Sequence, residues 1–137
     1  VSISKRIVQG KLRNQRALLV RYRRNRPEVN LKGALQLLKT CQEQLEQKDN
    51  IEQLMGMEGT GSRGYFEAYG KLLLKGFEFS KREYYPAPDP VNALLSFGYM
   101  LLFNELSSLL EASGFDIFLD KGTSIGKLVD IATFWCY

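Results

Sequence analysis

Two groups of residues in this sequence have types and spacings that can do chemistry. The first is cationic. From Val1 to Pro27 the chain holds nine basic residues, beginning with Lys5, Arg6, Lys11, Arg13 and Arg16, and no acid, whereas the rest holds ten basic and fifteen acidic residues. On a helix such a block is either a solvated face or a surface for polyanions, nucleic acid or acidic lipid, and charge alone selects no sequence or substrate. The second is Glu58, which stands among Gly56, Gly59, Gly61 and Gly64. A carboxylate among glycines can come close to a phosphate-bound hard cation such as magnesium, yet one carboxylate with waters holds that ion weakly, and taken alone it reads as a surface glutamate. Other chemistries drop out at once. There is no histidine, and the only cysteines are Cys41 and Cys136, so zinc sites of the usual spacing and His-paired nucleophiles cannot be assembled.

The elements that must position these residues are helical. Val1 to Tyr22 has few breakers and carries Ile3, Ile7, Leu18 and Tyr22, which suits a helix with one apolar stripe and a cationic polar face. Arg23 to Asn30, with Pro27, reads as a connection. Leu31, Leu35, Leu38, Cys41 and Leu45 then recur at helical spacing and give the clearest periodic signal. Ile51 to Leu74 offers Ile51, Leu54, Met55, Phe66, Tyr69 and Leu73 as core positions. Its four glycines each cost a helix about 1 kcal/mol relative to alanine. They leave two readings open: a loop between two shorter helices, or one helix whose backbone approaches a neighbour closely.

Gly76 to Pro90 is a connection, because Pro86, Pro88 and Pro90 exclude a continuous helix; Phe77 to Phe79 can form a short extended piece. Tyr84 and Tyr85 beside the prolines can stack on bases or anchor the loop. Asp89 is placed as an N-cap with Pro90 in the first helical position. From Val91 to Ala112 leucines cover more than one face, which predicts the buried centre of the domain, ended by Ser113-Gly114. Polar tips on that helix, Asn92 and Tyr99, are read as structural. From Asp120 the character changes, ending in a short apolar run from Leu128 to Trp135. The fold class expected is all-α: a helical domain over residues 1–119 with a divergent tail over residues 120–137, either part of the same domain or poorly packed.

At 137 residues, 45% hydrophobic and 25% charged, the chain fits one folded, soluble domain. The longest stretch without charge, Pro90 to Asn104, is too short to span a bilayer, so no membrane is expected, and the chain reads as cytoplasmic with reduced thiols.

Several strings, taken in order, carry a family likeness. They are Gly10-Lys11-Leu12-Arg13-Asn14-Gln15; Met57-Glu58-Gly59 leading through Arg63 to Tyr65-Phe66; Phe79 with Arg82; Pro88-Asp89-Pro90-Val91-Asn92-Ala93-Leu94-Leu95-Ser96-Phe97-Gly98-Tyr99; and Gly114-Phe115-Asp116. Over roughly residues 5 to 119 the chain resembles the C-terminal helical domain of the CRISPR-associated spacer-acquisition integrase/endonuclease family. That resemblance implies a helical bundle preceded in the family by a small N-terminal β-domain, which this sequence does not show, and a partner acquisition protein. It also implies a single magnesium or manganese site built from a glutamate, a histidine and a later acid.

Glu58 falls on the glutamate position. The histidine position has no counterpart, and the segment after Leu119 departs from the family as a truncated or frame-shifted member would. The resemblance places Arg63 and Arg82 near the metal site, where they would meet DNA phosphates or pair with Glu67 and Glu83. With Lys5, Arg6, Lys11, Arg13 and Arg16 they form the expected DNA-contacting set. The leading expectation is a DNA-binding member with an incomplete metal site, inactive by itself. Two alternatives are a nuclease that recruits Asp116, Asp120 or Asp130 as substitute ligands, and a non-catalytic module that binds a partner protein or a missing segment of the enzyme.

Overall fold

The computed structural model describes residues 2–83 and 85–114. Tyr84, Asp116, Asp120, Asp130, Cys136 and the apolar run from Leu128 lie outside the described residues, as does the proposed tail. Four helices follow in order: α1 (Ser2–Asn25), α2 (Lys32–Leu45), α3 (Ile51–Leu72) and α4 (Pro90–Ala112). There is no strand among the described residues. The chain divides into two compact units, the first Val1–Arg82 and the second beginning at Glu83.

In the first unit α1, α2 and α3 pack pairwise against one another. Their shared core is Val8, Leu12 and Leu19 from α1, Leu31, Leu35, Leu38, Cys41 and Leu45 from α2 and its N-cap, and Leu54, Ala68 and Leu72 from α3. The α2 stripe is the one its periodicity predicts. On α1 the buried line runs through Ser4, Val8, Leu12 and Leu19, while Leu18 and Tyr22 are exposed, so the expected stripe is displaced by about one residue. A single-residue step rotates a helix by about 100°, enough to move leucines off the face that α2 and α3 cover. Arg26, just after α1, donates from Nη1 to the Leu72 carbonyl at 2.7 Å, placing a cation at the C-terminal end of α3.

α3 is one continuous helix through all four glycines, capped at its start by Asn50, whose side chain accepts from the Glu52 amide at 2.9 Å. Close approach accounts for two of those glycines, Gly61 and Gly64, while a Cβ at Gly56 or Gly59 would meet nothing within 4 Å. A Cβ at Gly61 would meet Leu12 Cδ2, and one at Gly64 would lie 2.5 Å from Leu37 Cδ2. The buried line of α3, at Leu54, Glu58, Gly61, Gly64, Ala68 and Leu72, thus has small residues at three of its six positions. Met55, expected in the core, is exposed. Beyond α3 the Phe77–Phe79 segment is irregular instead of a strand, and Phe79 joins Tyr65, Phe66 and Tyr69 in an aromatic cluster. Its carbonyl lies over Gly70, 2.6 Å from where a Cβ would stand.

In the second unit Asp89 caps α4 as expected, accepting from the Asn92 amide at 2.8 Å with Pro90 in the first turn. Asn92 is fully buried and structural: its Oδ1 accepts from the Glu83 amide at 2.8 Å and its Nδ2 donates to Asp89 Oδ2 at 2.6 Å. Among the described residues the rest of α4 is largely exposed, where a buried centre is expected. Leu94 is 68%, Phe97 63% and Leu102 48% exposed. Apolar residues on several faces state that a helix needs neighbours; they do not supply those neighbours among the described residues. The helix is also longer than its charge-free stretch suggests. Its 23 residues, with an 18-residue window of mean hydropathy 1.4, have the length and composition to cross a membrane, a test that core helices of soluble proteins also meet.

Candidate functional site

Glu58 sits on the buried line of α3, 5% exposed, directed at α1. Lys11 and Gln15, one turn apart on α1, face Glu58 and Ser62, one turn apart on α3. The Lys11 ammonium pairs with Glu58 Oε1. Ser62 Oγ donates to the same oxygen at 2.8 Å, and Gln15 Nε2 donates to Ser62 Oγ at 3.1 Å. Donors therefore run in one direction, Gln15 to Ser62 to Glu58, and converge with Lys11 on one carboxylate. Burial pushes the Lys11 amine below its ordinary value, and the charge and hydrogen bond of Glu58 pull partly back. Two polar atoms beside this seam, Gln15 Oε1 and Arg16 Nε, are buried without a partner among the described residues.

These residues do not fit a divalent ion. Magnesium takes oxygen ligands in near-octahedral array. Here the carboxylate oxygen already accepts from an ammonium and a hydroxyl. No group of three or more His, Cys, Asp or Glu side chains able to hold a metal occurs among the described residues.

The other basic positions separate by environment. Lys5 pairs with Asp49 at 3.0 Å and donates to the Glu46 carbonyl at 2.9 Å. Arg16 is half-buried, and Arg82 is half-buried and engaged with a partner. Arg6, Arg13 and Arg63 are exposed, with no ion pair among the described residues. Arg6 and Arg13 stand on one side of a groove of about 650 Å³ between α1 and α2, across Gly10 from each other, with Gln9, Gln42, Glu43 and Glu46 completing its lining. Arg24, eighteen residues from Arg6, returns to the same face of α1 after five full turns. It too is exposed. By charge alone Lys11 groups with these solvent-facing cations. Its different place was signalled by Gln15 and Ser62, polar residues at the helical spacing that pairs them with Lys11 and Glu58.

The fold and site define an all-α chain whose most basic helix is laid against a buried carboxylate. It belongs to the family described as CRISPR associated protein Cas1, whose model matches residues 1–119. The CRISPR-associated endonuclease Cas1 1 of Methanospirillum hungatei is 32% identical over 115 residues, covering 84% of this chain and 34% of that protein. The CRISPR-associated endonuclease Cas1 3 of Thermus thermophilus is 37% identical over 116 residues, covering 85% and 32%. The chain thus spans about a third of the length of these relatives. A solved structure described as a Cas6-RT-Cas1–Cas2 complex matches with a TM-score of 0.81 at 29% identity, covering 98% of this chain and 15% of that one.

Proposed function

We propose that this chain is a DNA-binding helical module of the spacer-acquisition machinery that engages the phosphate backbone through α1 and by itself neither cuts nor joins DNA. The observation that carries the binding half is the row of exposed guanidinium groups at Arg6, Arg13 and Arg24 on one side of a helix without any acid. That row extends about 27 Å along the helix axis. Each phosphate a cation neutralises releases counterions, so binding should weaken steeply with salt. Titrating duplex DNA at several salt concentrations tests this. The Arg6→Ala/Arg13→Ala double variant should lower the slope of log K against log salt by about 2. An unchanged slope would remove α1 from the interface.

The catalytic half concerns the magnesium or manganese that a Cas1 endonuclease would use. Such an ion must be held in fixed geometry to polarise a phosphoryl oxygen in line with the reacting groups. Glu58 is one anchor, and it is engaged by Lys11. Incubation with linear and branched DNA in either metal should yield no products; products that disappear in Glu58→Ala would overturn this part.

A protein-contact role is a second reading, favoured by the exposed apolar side chains of α4. Leu94, Phe97 and Leu101 share one face and Leu102, Leu106 and Leu109 another, and all six are exposed. A Cas2-type acquisition partner or another part of a Cas1 protein is the contact proposed. Glu105 and Glu111 within the helix favour protein over lipid as the neighbour. A cytoplasmic location suits Cys41, which is a buried free thiol.

A further inference from the structure

We propose that the groove between α1 and α2 is a docking surface for a second copy of this chain, the cationic edge of each copy lying on the acidic edge of the other. The groove carries opposite charges on its two sides. Arg6 and Arg13 stand on the α1 edge, Glu43 and Glu46 on the α2 edge, and all four are exposed. No ion pair among the described residues joins these four across the groove, and the ion partner of Glu43 is Lys39, one turn back on its own helix, at 3.6 Å. A phosphate backbone entering the groove would meet both carboxylates, so DNA suits the outer side of α1 and not this cleft. The surface that fits here carries both signs, in the reverse order across its width.

The chain offers that surface itself. α1 and α2 run antiparallel, since Lys5 near the start of α1 donates to the Glu46 carbonyl and to Asp49 at the far end of α2. A two-fold axis running along the groove keeps every residue at its own height and exchanges left for right. Arg6 and Arg13 of one copy then come over Glu46 and Glu43 of the other, and the same pairs form a second time by symmetry. Gly10 lies between the two arginines, where an added Cβ would meet nothing within 4 Å. A glycine midway along a helix is unfavourable, and no neighbour within the chain requires this one. Its missing side chain lets the partner's α2 come down between the guanidinium groups. Exposed ion pairs are individually weak and screened by salt, so the dimer is a weak, salt-sensitive one. Where DNA takes the same guanidinium groups, as proposed above, it competes with the second copy.

Sedimentation velocity without DNA, over protein concentrations from about 10 µM to 1 mM, tests this. The wild type should self-associate, and the association should weaken roughly tenfold or more as salt rises from about 0.05 to 0.5 M. Arg6→Glu/Arg13→Glu and Glu43→Arg/Glu46→Arg should each be monomeric alone. An equimolar mixture of the two should associate at least as tightly as the wild type, because one presents two acidic edges and the other two basic ones. Arg23→Glu/Arg24→Glu, an equal change of charge outside the groove, should associate like the wild type. If circular dichroism shows that a charge reversal unfolds the chain, Arg6→Gln/Arg13→Gln takes its place and should weaken self-association by roughly tenfold. A wild type that stays monomeric at low salt overturns the proposal, as does a mixture of folded variants that stays monomeric. Association that survives both salt and the groove variants also overturns it and moves the contact to another surface, such as the apolar faces of α4. DNA titration at protein concentrations below the association range reports on the DNA-binding reading independently of all these outcomes.

Discussion

α2 and α4 are both rich in leucine, yet α2 buries Leu35, Leu38, Cys41 and Leu45 while α4 leaves Leu94, Leu101, Leu102, Leu106 and Leu109 exposed. The leucines are also distributed differently around each axis. In α2 they fall on one line, which two neighbouring helices can cover together, and its opposite side is polar. In α4 they spread around the helix, so no single neighbour could cover them. What this teaches is that a stripe specifies a packing direction, whereas general apolarity specifies only a demand.

The largest effect that would break this comparison belongs to the bundle. Leu38→Ala should destabilise the protein by about 2–5 kcal/mol in urea melts, because a fully enclosed side chain leaves a cavity. Gly61→Val comes next, at about 1–3 kcal/mol, since its added carbons would be driven into Leu12, itself without room to turn. Leu102→Ala should change stability by less than about 1 kcal/mol, as nearly half of that side chain already faces water. A Leu102→Ala loss as large as that of Leu38→Ala would show that α4 is a core helix after all.

The smallest effect is a pH dependence within α2. Burial raises the Cys41 thiol above its ordinary value of 9.0, so the folded state keeps a proton that the unfolded chain gives up. Its contribution to stability is fully present below the unfolded value and is lost as pH rises through the folded one. Urea melts across that window, compared with Cys41→Ala, should show the alkaline decline flattened in the variant.

Much of the fold was legible because local signals agreed: the α2 stripe, and Asp89 with Pro90 opening α4. The continuity of α3 was not. Glycine propensity argues for a break, and what overrides it is the closeness of Leu12 and Leu37, which belong to other helices and are invisible to a local reading. Glu58 stands out in the sequence through family resemblance and its glycine neighbours, but its burial against α1 does not. Lys11 reads as a DNA contact because charge reveals a preference for a partner but not which one; in the fold the buried carboxylate of Glu58 takes it. For α4 the sequence conveyed helix and hydrophobicity correctly, but burial depends on surroundings that composition does not contain.

The contact between Gly70 and Phe79 sets how the bundle can come apart. Because the Phe79 carbonyl rests where a side chain at position 70 would stand, the strap after α3 is seated by the lack of a methyl group, and its hold is the aromatic cluster with Phe66 and Tyr69. Such a seam can unzip on its own. Lifting the strap would free Phe79 while the leucines between α1 and α2 stay enclosed. Amide exchange should therefore be fastest at this hinge-like end, as a local opening well below the free energy of global unfolding. An alanine at position 70 would prop the latch ajar.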